Sequence, residues 1–257
     1  MNFQGEMVND DQYLKGHTAL VTASSRNLGA SIVSGLAARG ADVVVTYQQS
    51  RGHAEALIAR LPAGRHVCVP CDLSHTDGII AMVEAAVAAA SGTIDIVVNN
   101  SGPFSMVPFI ELEPDEWDRI WTASVKAAYL TSKMLIPAMG GWGRVVNVSA
   151  GSAYLRTHSI YTLAKDAMIT FTEALAVEVG PPVTVNCVAP GQIEESAADM
   201  AEFDPTFVDR ATEATPLGRL VTREDVAGIV VELCGPRFAA VTGVTIPIDG
   251  GAHLVGF

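Results

Sequence analysis

Seven short runs rich in β-branched residues, separated by longer amphipathic stretches, constrain this chain more than any other feature. The runs are His17–Thr22, Ala41–Tyr47, Arg65–Pro70, Ile94–Asn99, Gly143–Ser149, Val183–Ala189 and Gly243–Ile248. Helical patterns lie between them at Leu28–Arg39, Arg51–Leu61, Asp77–Ala90, Pro114–Pro137, 161–179 and Arg223–Cys234. Pro114 suits the first turn of the fourth helix, where its missing N–H is harmless. Near-continuous apolar strands alternating with helices imply a parallel sheet covered on both faces. The expected fold is therefore α/β, a doubly wound parallel sheet in a single domain over residues 14–257. Residues 1–13 form an N-terminal extension outside it, and Asn2-Phe3-Gln4-Gly5 looks like part of a cleavage scar. Sheets of this kind bind ligands beyond the carboxyl ends of their strands, where the strand order reverses.

Charge and composition remove several classes of function. A net charge of -12 and a pI of about 4.8 repel a phosphate backbone, so nucleic acid is not an expected partner. No apolar run approaches the ~20 residues that span a bilayer. The start of the chain has neither a basic segment nor an apolar core, so no signal peptide is expected and the cytoplasm is the default location. Cys68 and Cys71 form a C-x-x-C, but Cys187 and Cys234 are single, and the pair ends a strand rather than opening a helix. Buried thiols are expected, and no metal site.

Chemistry is suggested by Tyr161 and Lys165, four residues apart and so on one face of a helix. An ammonium beside a phenol favours the phenolate, lowering a pKa of about 10 towards neutrality. Such a phenol can exchange a proton with a carbonyl or an alcohol near pH 7. Alone, the pair is a weak signal, because both residues are common. It gains weight if a dinucleotide site precedes it. The loop after the first strand, Thr22-Ala23-Ser24-Ser25-Arg26-Asn27-Leu28-Gly29, has small residues at Ala23, Ser24, Ser25 and Gly29, which would let a backbone approach a pyrophosphate at a helix N-terminus. It carries one glycine only, and would also serve as an ordinary strand-to-helix turn.

Eight segments then occur in order: TASSRNLG, CDL at 71–73, NNSG at 99–102, YTLAK, NCVAPG at 186–191, PLGRL at 216–220, REDVA at 223–227 and PIDGG at 247–251. In these the chain resembles the short-chain dehydrogenase/reductase family, in the branch of 3-oxoacyl-carrier-protein reductases, with a Rossmann-like fold. The resemblance implies Tyr161 as proton donor or acceptor and Lys165 as the group that tunes it and binds the nicotinamide ribose. It implies Ser25, Arg26 and Leu28 along the phosphates, and Asp72 and Leu73 at adenine, the Asp72 carboxylate accepting from the exocyclic amine. Asn100, Ser101 and Gly102 would follow the adenine ribose, and Pro190, Gly191 and Ile193 the nicotinamide. It also suggests a homotetramer built partly on helices 114–137 and 161–179. The end of the second strand, Thr46-Tyr47-Gln48-Gln49, has no acid to hold a ribose diol, while Arg26 and Arg51 lie nearby, which favours NADP(H) over NAD(H).

Five positions depart from the family pattern. Ala23 and Asn27 stand where glycine is usual, the alanine a mild change and the asparagine tolerant of a left-handed backbone. Ser124 stands where an asparagine normally holds a relay water. Ala150 occupies the place of the catalytic serine, leaving Ser149 as the preferred candidate and Ser152 as the reserve. Glu195 replaces a cofactor-binding threonine and would repel a pyrophosphate unless it turned away. Residues 192–220 are expected to form a lid, acidic through Glu194, Glu195, Asp199, Glu202, Asp204 and Asp209, with Met200, Phe203 and Phe207 capping an apolar substrate. Lid carboxylates facing the site would discourage anionic substrates. The leading expectation is NADPH-dependent reduction of a carbonyl on a small apolar molecule, or the reverse oxidation. Its rivals are a non-redox isomerase, dehydratase or cyclase using Tyr161 and Lys165, and a catalytically inactive binding protein.

Overall fold

The computed structural model describes residues 10–90, 92–151, 159–201 and 204–255, without the side chains of 10 and 198–201. Ser152, Glu202 and Phe203 lie outside the described residues, as do the side chains of Asp199 and Met200.

The expected strands form, six slightly shorter than their apolar runs and β6 one residue longer: β1 (Thr18–Val21), β2 (Asp42–Tyr47), β3 (Val67–Pro70), β4 (Ile96–Asn99), β5 (Gly143–Val148), β6 (Val183–Pro190) and β7 (Thr245–Ile248). They make one parallel sheet in the order β3-β2-β1-β4-β5-β6-β7. Because alternate strand residues face opposite ways, each strand supplies two cores. Ala19, Val21, Val43, Val45, Val146 and Val148 pack with α1 (Asn27–Ala38), α2 (Arg51–Ile58) and the Arg223–Cys234 helix. Leu20, Val44, Val97, Val145 and Val185 face α3 (Thr76–Ala90) and the helices that follow β4 and β5 on the other side. The order reverses between β1 and β4, which opens the crevice at their carboxyl ends.

One element differs from expectation. The single long helix over 114–137 is instead α4 (Pro114–Trp121), a π turn at Thr122–Lys126, α5 (Ala127–Leu135) and a short 3-10 turn. The wider turn absorbs an extra residue and keeps Thr122, Ala123 and Ser124 all buried. The helix expected over 161–179 begins one residue earlier, as α6 (Ile160–Val179), with the Ser159 hydroxyl capping it by accepting from Thr162 N–H at 3.2 Å.

The lid segment folds as α7 (Glu194–Ala201) and α8 (Phe207–Glu213), closed by a bridge between Ile193 and Val221. The chain then enters α9 (Arg223–Cys234) and ends its described part in α10 (Ala252–Val255). A reciprocal cap of Thr222 and Asp225 starts α9, and Arg219 clamps Asp225 through two hydrogen bonds. Those bonds hold the Asp225 carboxyl well below the usual carboxylate range. Tyr13, assigned to the extension by sequence, packs on the core and its hydroxyl donates to Glu232 of α9 at 3.2 Å.

Candidate active site

The carboxyl ends of β1, β4, β5 and β6 surround a cleft of about 1410 Å³. From the first turn it takes Ser25, Arg26 and Leu28, and from the end of β3 Leu73; from the end of β4 come Asn100, Ser101 and Gly102. Ser149 lies at the end of β5, Pro190, Gly191 and Ile193 at the end of β6, and Tyr161 and Lys165 on α6. Asp72 is the exception. Its carboxylate accepts from both the backbone N–H (3.0 Å) and the hydroxyl (2.6 Å) of Ser74, so it closes a tight turn before α3 and does not line the cleft.

The turn after β1 is built for close approach. Ala23 and Asn27 both adopt left-handed backbone angles, φ +52° and +53°. Asparagine tolerates this region. Alanine does not, and the strain costs about 1–2 kcal/mol, so the exchange of glycine for Ala23 is not the mild change expected. A Cβ on Gly29 would lie 2.5 Å from the Ala23 carbonyl oxygen and 2.6 Å from Ser24 Cα, which leaves room for glycine alone. Helix α1 begins with no side-chain cap and no acid in its first turn, so its N-terminal N–H groups are directed at the cleft without a built-in anion. The Thr22 hydroxyl ties this turn to β4 by accepting from Asn100 N–H (2.9 Å) and Ser101 N–H (3.3 Å). Asn100 Nδ2 donates back to the carbonyls of Thr22 and Ala23. Thr22 opens the TASSRNLG segment, but the segment does not show this role.

Lys165 is buried and its ammonium donates to the carbonyls of Val148 (2.8 Å) and Ser101 (3.1 Å). A Cβ on Gly102 would fall onto that ammonium, so the glycine makes its berth. The pKa directions differ from the sequence expectation. Burial pushes Tyr161 up to about 12 and Lys165 down to about 8. Lys165 Nζ stands 5.8 Å from the Tyr161 ring centroid and spends its protons on backbone carbonyls, so loss of solvent outweighs its field on the phenol.

The Ser149 hydroxyl donates to the Lys165 carbonyl at 2.6 Å within the protein. It therefore fastens β5 to α6 and does not present its proton to the cleft. Ala150 carries no hydroxyl, and Ser152 lies outside the described residues. Ser124 sits in the π turn with its hydroxyl buried and without a protein partner. Glu195 turns away: its carboxylate accepts from Arg223 N–H at 3.2 Å, at the start of α9. Of the lid's described residues, Phe207, Arg210 and Ala211 reach the cleft, as do Gln192, Ile193, Ser196, Thr215 and Leu220, and none of its described carboxylates does. The expected repulsion of anionic substrates by the lid thus lacks its acids. Phe104, Met106 and Arg119 also reach the cleft, and the sequence carried no motif for them.

All four cysteines are free, and burial raises the thiols of Cys71 and Cys234 to about 12 and Cys187 to about 11. Among the described residues no group of three or more His, Cys, Asp or Glu could hold a metal ion, and no helix is long and apolar enough to cross a membrane.

A doubly wound sheet with Tyr161 and Lys165 at its switch-point cleft defines a class, and the comparisons agree: residues 22–253 match the family model described as enoyl-(acyl carrier protein) reductase, and the chain belongs to the short-chain dehydrogenase/reductase family. It is 32% identical to the L-xylulose reductase of Bos taurus over 247 residues, covering 94% of this chain and 98% of that one. It is 33% identical to a tropinone reductase homolog of Arabidopsis thaliana over 251 residues, covering 95% of each. A crystal structure from Brucella melitensis, described as a short-chain dehydrogenase/reductase of the glucose/ribitol dehydrogenase kind, superposes with a TM-score of 0.85 at 27% identity, covering 94% of this chain and 98% of that one. The family is one of oxidoreductases that use a nicotinamide cofactor, NAD or NADP, and these relatives support a carbonyl-reductase role.

Proposed function

We propose that this chain reduces the carbonyl of a small, apolar molecule with NADPH, Tyr161 giving the proton. The observation that carries the reading is that Tyr161 and Lys165 meet, in one cleft, an uncapped helix N-terminus flanked by an unpaired arginine. The residues present fit a dinucleotide. Gly29 lets the backbone approach, α1 offers free N–H groups, and Gly191 packs so closely that a Cβ there would lie 2.5 Å from Asp249 Cβ. The bound nicotinamide would supply hydride.

Charge favours the phosphorylated form of the cofactor. Arg26 is exposed and makes no ion pair among the described residues, whereas Arg51 is engaged by Glu55 at 2.8 Å. Tyr47, Gln48 and Gln49 line the cleft at the end of β2 and bring no carboxylate against a 2′-phosphate. Arg26, rather than Arg51, is the proposed discriminator.

The proton chemistry favours reduction over oxidation at neutral pH. A phenol held near 12 keeps its proton and can deliver it to the oxygen of a forming alcohol. Lys165, fixed between two strand-end carbonyls, would orient the ribose and hold a positive charge beside the reacting oxygen below its own pKa. Ser149 is assigned a supporting place behind Lys165, because its proton is already given to the Lys165 carbonyl. We also propose a homotetramer on the family resemblance, which sedimentation would test.

Isothermal titration with NADPH and NADH, followed by NADPH oxidation with neutral ketones, tests the reading. Tight NADPH binding with weak NADH binding, and turnover lost in Tyr161→Phe, is the expected result. Absence of binding by either nucleotide at millimolar concentration would overturn it and leave acid/base chemistry at Tyr161 without hydride transfer.

A further inference from the structure

The segment leaving β4 carries an unusual run of uncovered apolar side chains beside the proposed proton donor. Phe104 is 57% exposed and Met106 62%, while Ser105 between them is 7% exposed. The alternation is anchored from inside: the Ser105 hydroxyl accepts from Val107 N–H at 3.4 Å. With Ser105 held inward, Phe104 and Met106 are both turned to the cleft, whose wall they form. The Phe104 ring meets the Tyr161 ring edge to face, centroids 5.1 Å apart at 69°. Aromatic rings favour this arrangement, and it leaves one ring oriented with most of its surface open.

The described arginines on the same side of the cleft are already neutralised. Arg119 is bound by Glu116 through two bonds of 2.7 and 2.8 Å, and Arg210 by Asp204. Phe207 and Ala211 continue the apolar lining from the lid. Among the described residues, what remains available to a substrate here is apolar and aromatic surface without a spare charge.

We propose that Phe104, with Met106 beside it, is the specificity-determining shelf of the site, selecting flat, neutral, conjugated ketones and seating their carbonyl at Tyr161. A planar ring system gains a stacking partner and covers both side chains, whereas an open-chain ketone of equal size covers them poorly. This rests on the reductase reading above, and the test separates the two.

The probes are 1-tetralone, a fused aryl ketone, and 2-decanone, an open chain with the same number of carbons. The wild type should prefer 1-tetralone in kcat/KM by about tenfold or more. Phe104→Ala should raise the KM for 1-tetralone about tenfold with kcat within about threefold, and leave 2-decanone nearly unchanged. Phe104→Tyr should restore the preference. Equal losses on both ketones, or no preference in the wild type, would overturn the shelf. If the wild type reduces neither ketone, the reductase reading has failed, and calorimetric binding of 1-tetralone then decides the shelf alone. Affinity about tenfold weaker in Phe104→Ala supports it; equal affinity, or no binding to either protein, refutes it. Because Phe104 is exposed, the variant should melt within a degree or two of the wild type.

Discussion

Lys165→Met should narrow the difference in stability between neutral and alkaline solution, and the size of the effect follows from where the ammonium sits. Burial lowers the Lys165 pKa from 10.5 to about 8. A shift of about 2.5 units at 1.36 kcal/mol each means that the charged lysine destabilises the native state by about 3 kcal/mol at pH 7. The sign follows from proton counting. Between about pH 8 and 10.5 the unfolded chain still holds a proton that the native chain has released, so native stability rises with pH. Raising the pH from 7 to about 9.5 should recover about 2 kcal/mol, worth about 4–8 °C in Tm for a chain of this size. Methionine has similar volume and no titrating group. It leaves the Ser101 and Val148 carbonyls without their donor, but that loss does not depend on pH. Titration of the Cys71 and Cys234 thiols acts on both proteins and cancels in the difference, whereas Cys187, whose thiol the Lys165 charge lowers, is coupled to the lysine and is replaced by serine in both proteins. The assay is urea unfolding of both proteins at the two pH values. The protein that keeps Lys165 should gain about 2 kcal/mol on the variant between them. If the two stabilities instead run parallel within about 0.5 kcal/mol, the lysine is not buried as a strained cation and the pKa argument for the site falls with it.

Four further outcomes follow from the same geometry. Tyr161→Phe should lower carbonyl reduction by about 10²–10⁴-fold while calorimetry finds NADPH affinity unchanged. Ser149→Ala should lower stability by about 1 kcal/mol through the lost bond to Lys165, yet leave kcat within a few-fold, the reverse of what a carbonyl-polarising serine would give. Gly29→Ala places a Cβ against Ala23 and Ser24, and nucleotide titration should show binding reduced about a hundredfold or more in a chain that still folds. Arg26→Ala should weaken NADPH binding by about tenfold and leave NADH binding unchanged, read by titration of both.

The sheet was legible because its signal is redundant: every strand is an apolar β-branched run, and any one of them could be misread without changing the architecture. The break at Thr122–Lys126 was not legible, since a π turn inserts one residue into a pattern that still reads as amphipathic helix. Thirteen of the fourteen site residues expected from the motifs line the cleft, because they sit at or just beyond strand ends, or on the helices α1 and α6 packed beside them, whose positions the sheet dictates. The failures concern direction rather than position. Asp72 and Glu195 stand near the site, but the nearest unsatisfied N–H groups belong to Ser74 and Arg223, and the carboxylates turn to them. Ser149 stands at the cleft but gives its proton to the helix behind it. Ala23 hides a left-handed conformation behind a residue type that rarely adopts one. The pKa of Tyr161 depends on solvent loss, which a spacing of four residues does not encode.

The bonds between Thr22 and Asn100 and Ser101 join residues 78 and 79 positions apart in the chain, across the point where the strand order reverses. Until β4 docks beside β1, the first turn is braced from the β2 side, by Ser24 against Thr46, but lacks its ties to Asn100 and Ser101, and Lys165 lacks the Ser101 carbonyl that holds it. The cleft therefore depends on the long-range pairing of β1 with β4, and the ends of β5 and β6 complete it. No fragment ending before β4 can carry a working half of it. A ligand that fits the cleft accordingly selects the completed sheet, and its binding energy should appear as protection of the entire fold against unfolding.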